Sequence, residues 1–200
     1  MFLLGMLGAA ALSLGDVGSL LKLSDYPSDA LEHEQSVAAL LEIVIDPSGK
    51  VASCTVVSVV GNYKLAGQLC EIVRRKKTSP ATLSDGTRTY ARVRSGFRMF
   101  VPGAEGADKA AAAQQSADQV LTASYLPAGK EGRAADLALA VDAQGQIIDC
   151  APTPHTKNPD IAALGCKARA SLHVEPLILP DGSRPVFVSS SRIEFHLAAE

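Results

Sequence analysis

The 200-residue chain aligns with itself, without a gap from about Ala38 to Met99, when shifted by 96 positions. DPSGKVASC, starting at Asp46, falls on DAQGQIIDC, starting at Asp142, so Gly49 meets Gly145 and Cys54 meets Cys150. Further on, Cys70 meets Cys166, Pro80 meets Pro176, and LSDGTR (83–88) meets LPDGSR (179–184). Shared spacing over about sixty positions marks a duplication. The chain therefore divides into a unit at 22–101, an alanine-rich linker at 102–121 and a second unit at 122–200.

Each copy has the same local pattern. VAALLEIVID (37–46) places Ala39, Leu41, Ile43 and Ile45 on one face, and Ala135, Leu137, Leu139 and Val141 repeat this. Such alternation is the period of a half-buried strand. DPSGK and DAQGQ then supply the glycine of a hairpin turn, with Asp46 and Asp142 as turn residues. A second strand follows, VASCTVVSVV in one copy and QIIDCAP in the other. In NYKLAGQLCEIVRRKK, Leu65, Leu69, Ile72 and Val73 form one helical stripe, with Asn62 as N-cap. The second copy offers NPDIAALGCKARASL, with Asn158 as cap and Pro159 in the first turn. Asp85-Gly86 and Asp181-Gly182 mark turns before the last strands, TYARVRSGFRMFV and PVFVSSSRIEFHL. The order is strand, strand, helix, strand, an α+β unit, with a short leading helix near YPSDALEHE.

Four cysteines allow three pairings. A duplicated unit duplicates its internal bond, which selects Cys54 with Cys70 and Cys150 with Cys166. Each bond would staple helix to sheet in a unit whose core is thin at this size. Buried free thiols, a zinc site and a redox dithiol are the alternatives. The last two lack the C-x-x-C spacing they need. Disulfides place the chain in an oxidising compartment.

No G-x-S-x-G, H-E-x-x-H or P-loop occurs, and His33, His155, His173 and His196 do not recur between copies. Neither a catalytic site nor a cofactor or metal site is expected. Formal net charge is -2 and tryptophan is absent, a poor supply for nucleic-acid binding. The copies differ in charge: residues 22–101 hold 11 Lys/Arg against 8 Asp/Glu, residues 105–200 hold 8 against 12. MFLLGMLGAAALSLG (1–15) is uncharged and shorter than the roughly 20 residues of a membrane span. It reads as a signal-like segment with small residues at Ala9–Ala11 and Ser13, although no Lys or Arg stands near Met1. Membrane association stays open.

On the last strand of the first copy, Arg88, Arg92, Arg94 and Arg98 share one face, with Val93, Phe97 and Met99 opposite. Two readings fit. The row is a solvated face whose charge discourages edge pairing, or it docks an acidic extended segment. The second copy has Ser190, Arg192, Glu194 and His196 instead.

Taken together, DYPSDA, a strand, D-x-x-G-x-V, a second strand, a helix, a proline, a D-G turn and a final strand resemble the TonB C-terminal domain. The likeness is to its cysteine-bearing members, through Gly49, Val51, Cys54 and Cys70, echoed by Gly145, Ile147, Cys150 and Cys166. It spans about 25–101 and, more loosely, 122–197. The resemblance implies two tandem TonB C-terminal-like domains, each a three-stranded antiparallel sheet packed with helices. It implies a non-catalytic protein of the Gram-negative periplasm, secreted on an N-terminal signal. It further implies capture of an extended peptide, from a partner such as a TonB-dependent transporter, beside the strand Thr89–Val101. Tyr90, Arg92, Arg94 and Arg98 are then the candidate peptide-binding residues. An energy transducer resembling TonB would add a transmembrane helix and a Pro/Lys-rich spacer; neither is read here, so coupling to a proton motor is not expected. A self-associating envelope scaffold is the second functional reading, and a thiol oxidoreductase the third.

Overall fold

The computed structural model describes residues 11–126, 133–154 and 156–198. Within the first repeat, α1 (Ser28–Glu32) leads into β1 (Val37–Ile45), β2 (Val51–Gly61), α2 (Tyr63–Arg74), β3 (Ala81–Thr82) and β4 (Arg88–Met99). Then come α3 (Ala107–Ala112) and β5 (Gln119–Ala123). The second repeat supplies β6 (Ala134–Val141), β7 (Ile147–Pro152), α4 (Pro159–Lys167) and β8 (Phe187–Leu197).

The hairpin turns form as the repeat requires, and identically. Asp46 accepts from the Ser48 and Lys50 amides at 2.8 and 3.0 Å, and Asp142 from those of Gln144 and Gln146 at 2.9 and 2.8 Å. Gly49 and Gly145 sit at φ +81° and +87°, the left-handed region that the turn needs and a side chain resists. The helix starts differ. Asn62 caps α2 by accepting from Leu65 N at 2.9 Å. Asn158 makes no such cap bond; its amide donates to the Ala134 carbonyl instead, tying the helix entry to β6. α4 also stops at Lys167, and a 3-10 turn at Arg169–Ser171 takes up the rest of the expected helix.

Two separate three-stranded sheets are not what these strands build. They form one eight-stranded sheet with the path β2-β1-β4-β8-β6-β7; β3 pairs with β4, and β5 with β8. Each repeat does contribute an antiparallel trio, but β4 and β8 join in parallel at Tyr90–Arg92 with Phe187–Ser189. β8 is therefore internal. The reason lies in the duplication. Corresponding strands running side by side in parallel relate the repeats by a half-turn about the strand direction, which turns one repeat upside down relative to the other.

The two cores confirm that inversion. α2 packs Leu65, Leu69 and Val73 with Leu41, Ile43 and Ile45, and this cluster also takes in Ala138, Ala140 and Val188 of the second repeat. α4 packs Ile161 and Ala162 with Leu137, Leu139 and Phe187, and Val44 and Tyr90 of the first repeat lie against it. On β6, successive residues thus point to different cores, so α2 and α4 cover opposite faces of the sheet. At roughly 25 cal/mol per Å² of apolar surface, this sharing gives each thin core burial it could not gain alone.

Two further segments depart from expectation. Leu12, Val17 and Leu20 are buried in the first core, and Ser13 and Thr82 exchange backbone bonds at 2.9 and 3.0 Å. The latter part of the signal-like 1–15 is thus packed structure, held by apolar side chains at its far end; residues 1–10 lie outside the described ones. The linker is also structured: α3 buries Ala107 and Ala110, and β5 pairs with β8. Among the described residues no helix is long and apolar enough to cross a membrane.

Both disulfides are present, Cys54–Cys70 and Cys150–Cys166, each across 16 positions. Loops of that size contribute about 3 kcal/mol each on the chain-entropy model. Their surroundings differ, for Cys54 and Cys70 are buried and Cys150 and Cys166 only half so. Graded reduction with alkylation and mass spectrometry should therefore open Cys150–Cys166 first.

Four carboxyls lie below the usual aspartate range. Hydrogen bonds from Lys76 Nζ (2.7 Å) and Lys22 N hold the Asp25 carboxyl below the usual range. Partial burial raises Asp46, but bonds from Ser48 and Lys50 outweigh it and the net shift is down. Asp85 and Asp181 are lowered by their bonds from Thr87 and Ser183. A carboxyl depressed on folding stabilises above its unfolded value, near 3.9 for Asp, and that contribution goes as pH falls through the folded value. Denaturant midpoints should stay level above about pH 5 and drop below about pH 4, less steeply in Asp25→Asn.

Candidate functional site

β4 is where the repeats and the linker meet. Its even-numbered residues point to one face and the odd-numbered Ala91, Val93 and Met99 into the first core. The arginine row is thus a single face, but three of its members are engaged by the chain itself. Arg92 lies 4.9 Å over the Phe187 ring and donates to the Glu175 carbonyl at 2.7 Å. Burial pulls its guanidinium below the usual arginine range, opposed by Glu42. Arg94 donates to Glu42 at 2.9 Å and to Asp118 at 3.1 Å. Burial there works downward too, but the two carboxylates outweigh it and hold the guanidinium above its usual value. Arg98 donates to the Ala113 carbonyl. Arg88 is exposed, with no ion-pair or hydrogen-bond partner among the described residues. Tyr90 packs against the second core.

The outer edge of β4 was expected to be open along Thr89–Val101. Over Tyr90–Arg92 it is closed, because β8 pairs there. Beyond Arg92 the two strands part. Arg94 N still reaches across, to Ser190 Oγ at 2.8 Å. Backbone groups alternate sides along a strand, so the amides of Gly96 and Arg98 face the same way as that of Arg94. Neither has a hydrogen-bond partner among the described residues. The open edge is therefore the far half, Arg94–Met99.

A groove of about 780 Å³ adjoins it. Leu40, Val57, Val60 and Gly96 line it from the first repeat, the linker stretch Ala113–Asp118 runs along it, and Lys157 and Arg192 reach it from the second repeat. No backbone bond joins that linker stretch to β4 among the described residues.

On β8 the corresponding edge is filled. β5 lies parallel to it, Gln119–Ala123 against Ile193–Leu197, and Asp118 N donates to the Arg192 carbonyl at 2.7 Å. With the offset of 96, Ile193 corresponds to Phe97. The chain thus adds a strand of its own to the second repeat where, among the described residues, the first repeat has none.

Residues 22–99 match the family model of the Gram-negative bacterial TonB protein C-terminal. No curated protein and no solved structure matches the chain. The family is a non-enzymatic interaction domain of the Gram-negative envelope, and the two disulfides fit an oxidising compartment. The TonB C-terminal match ends at Met99, so it includes the whole of β4 and its open half.

Of the four candidate peptide-binding residues, the structure brings Arg94 and Arg98 to the groove and holds Tyr90 and Arg92 at the seam between repeats. Sequence reasoning missed Asp118, Lys157 and Arg192, which arrive from the linker and the second repeat. QVLTA, an alternating stretch with β-branched Val120 and Thr122, was the available sign of β5, masked by the alanines before it. Among the described residues no group of three His, Cys, Asp or Glu is placed to hold a metal.

The unequal engagement of the row is measurable. Arg94→Met, which strands two carboxylates, should lower unfolding free energy by about 1–2 kcal/mol. Arg88→Met should stay within about 0.5 kcal/mol of the parent in the same denaturation experiment.

Proposed function

We propose that the protein captures an extended segment of an envelope protein by adding it as a strand along Arg94–Met99 of β4. In this reading residues 22–101 are the receptor unit, 122–200 a supporting unit, and 102–121 the connection between them. The site of action is the periplasm, reached on an N-terminal signal, and a TonB-dependent transporter is the kind of partner expected. Chemistry is not part of the role: the cysteines are paired, and the turn aspartates bind neighbouring backbone.

The observation that carries this reading is the mismatch between the repeats. β8 accepts β5 along Ile193–Leu197, whereas the equivalent edge of β4 has amides at Gly96 and Arg98 that find no partner among the described residues, beside a groove. Strand addition obtains affinity from such amides and specificity from the side chains flanking them. The added strand runs parallel to β4 in this reading, as β5 runs parallel to β8.

A labelled, uncharged Thr/Val heptapeptide titrated against the whole chain tests it by fluorescence anisotropy. Saturable binding is expected, and Gly96→Pro, which removes an outward amide from an open edge, should weaken it at least about tenfold with an unchanged denaturation midpoint. Undiminished binding by that variant would sink the proposal.

A further inference from the structure

The groove beside β4 is more positive than the molecule around it. Among its lining residues Arg94, Arg98, Lys157 and Arg192 face a single acid, Asp118, while the chain as a whole carries a formal charge of -2. Two of these cations are already balanced. Arg94 is held by Glu42 and Asp118, and Arg192 by Asp136 at 3.0 Å. Arg98 contacts only a neutral acceptor, the Ala113 carbonyl, and Lys157 is exposed with no ion-pair partner among the described residues. Among the described residues two positive charges thus stand without an acidic partner, one from each repeat.

We infer that the groove selects extended segments carrying acidic side chains, and that the second repeat contributes to this selection through Lys157; the inference rests on the strand-addition reading. Asp118 shows how a carboxylate is received at this fork. Its Oδ1 accepts from Arg94 at 3.1 Å and its Oδ2 from the Arg192 amide at 2.7 Å. Both are partners that an acid on a neighbouring strand finds where β4 and β8 separate. The floor asks for something different. Leu40 and Val60 are apolar and share the sheet face of Arg98, so a fitting segment turns apolar as well as acidic side chains toward that one face and its alternate residues away from it. The second repeat, whose own edge is filled by β5, then serves as a wall of the first repeat's groove and not as a second receptor.

The probes are labelled Thr/Val heptapeptides that differ only in bearing Glu, Gln or Lys at the same positions. Each is titrated against the whole chain by fluorescence anisotropy. The Glu peptide should bind about fivefold tighter than the Gln peptide, as expected for exposed charge pairs, and the Lys peptide weakest. The Glu preference should shrink as salt rises. Lys157→Glu and Arg98→Glu should each abolish it, while Arg184→Glu, an equal change of charge outside the groove, leaves it in place. Equal affinity for all three peptides, with Gly96→Pro still abolishing binding, would overturn charge selection and leave strand addition standing. A preference that survives Lys157→Glu would overturn the part given to the second repeat. Failure of every peptide to bind would overturn both readings together.

Discussion

A parallel ladder only three residues long, Tyr90–Arg92 against Phe187–Ser189, holds the two repeats in one sheet. Everything larger in the architecture follows from it. Because corresponding strands lie side by side and parallel, one repeat is inverted relative to the other, α2 and α4 fall on opposite faces, and each core borrows apolar surface from the other repeat. Antiparallel neighbours can be joined by a tight turn, but parallel ones need a long connection. The linker provides it and takes on further duties, packing α3 against the first repeat and laying β5 along the far half of the edge of β8 that faces β4.

The shortness of the ladder matters as much as its presence. Two twisted strands that pair over three residues and then part leave a fork, and its arms meet different fates. Along β8 the fork is filled by β5. Along β4 it opens on a groove with charged walls and an apolar floor. Of the two corresponding edges, one is thus used internally and the other is left unpaired among the described residues. A disulfide holds each helix to its sheet, Cys54–Cys70 in the first repeat and Cys150–Cys166 in the second.

Local features were legible in the sequence, and distant ones were not. The hairpin turns at Asp46 and Asp142, the cap at Asn62 and both cysteine pairs depend on residues within 16 positions of one another, and the repeat states the turn and the cysteine pair twice, whereas the matching Asn158 does not cap its helix. The arginine row was visible as an alternating face, but its partners were not. Arg94 finds Glu42 and Asp118 at separations of 52 and 24, and Arg92 finds Glu175 at 83. No periodicity reports such encounters. A three-residue parallel ladder leaves no pattern either, which is why two sheets were expected where one exists. The uncharged stretch 1–15 carried a hydrophobic signal read as export, and of its described end, 11–15, Leu12 is buried in the first core and Leu14 packs against it.

The account turns on β4 being sealed in its first half and open in its second, and amide hydrogen exchange along that one strand reads this directly. The odd-numbered amides, bonded to β1, and the Arg92 amide, facing β8, should be protected, while those of Gly96 and Arg98 exchange at nearly the rate of exposed backbone. Adding an extended peptide should slow exchange at Gly96 and Arg98 and leave the rest unchanged. Uniform protection from Tyr90 to Arg98 without peptide, or an Arg92 amide as labile as that of Gly96, would contradict the account.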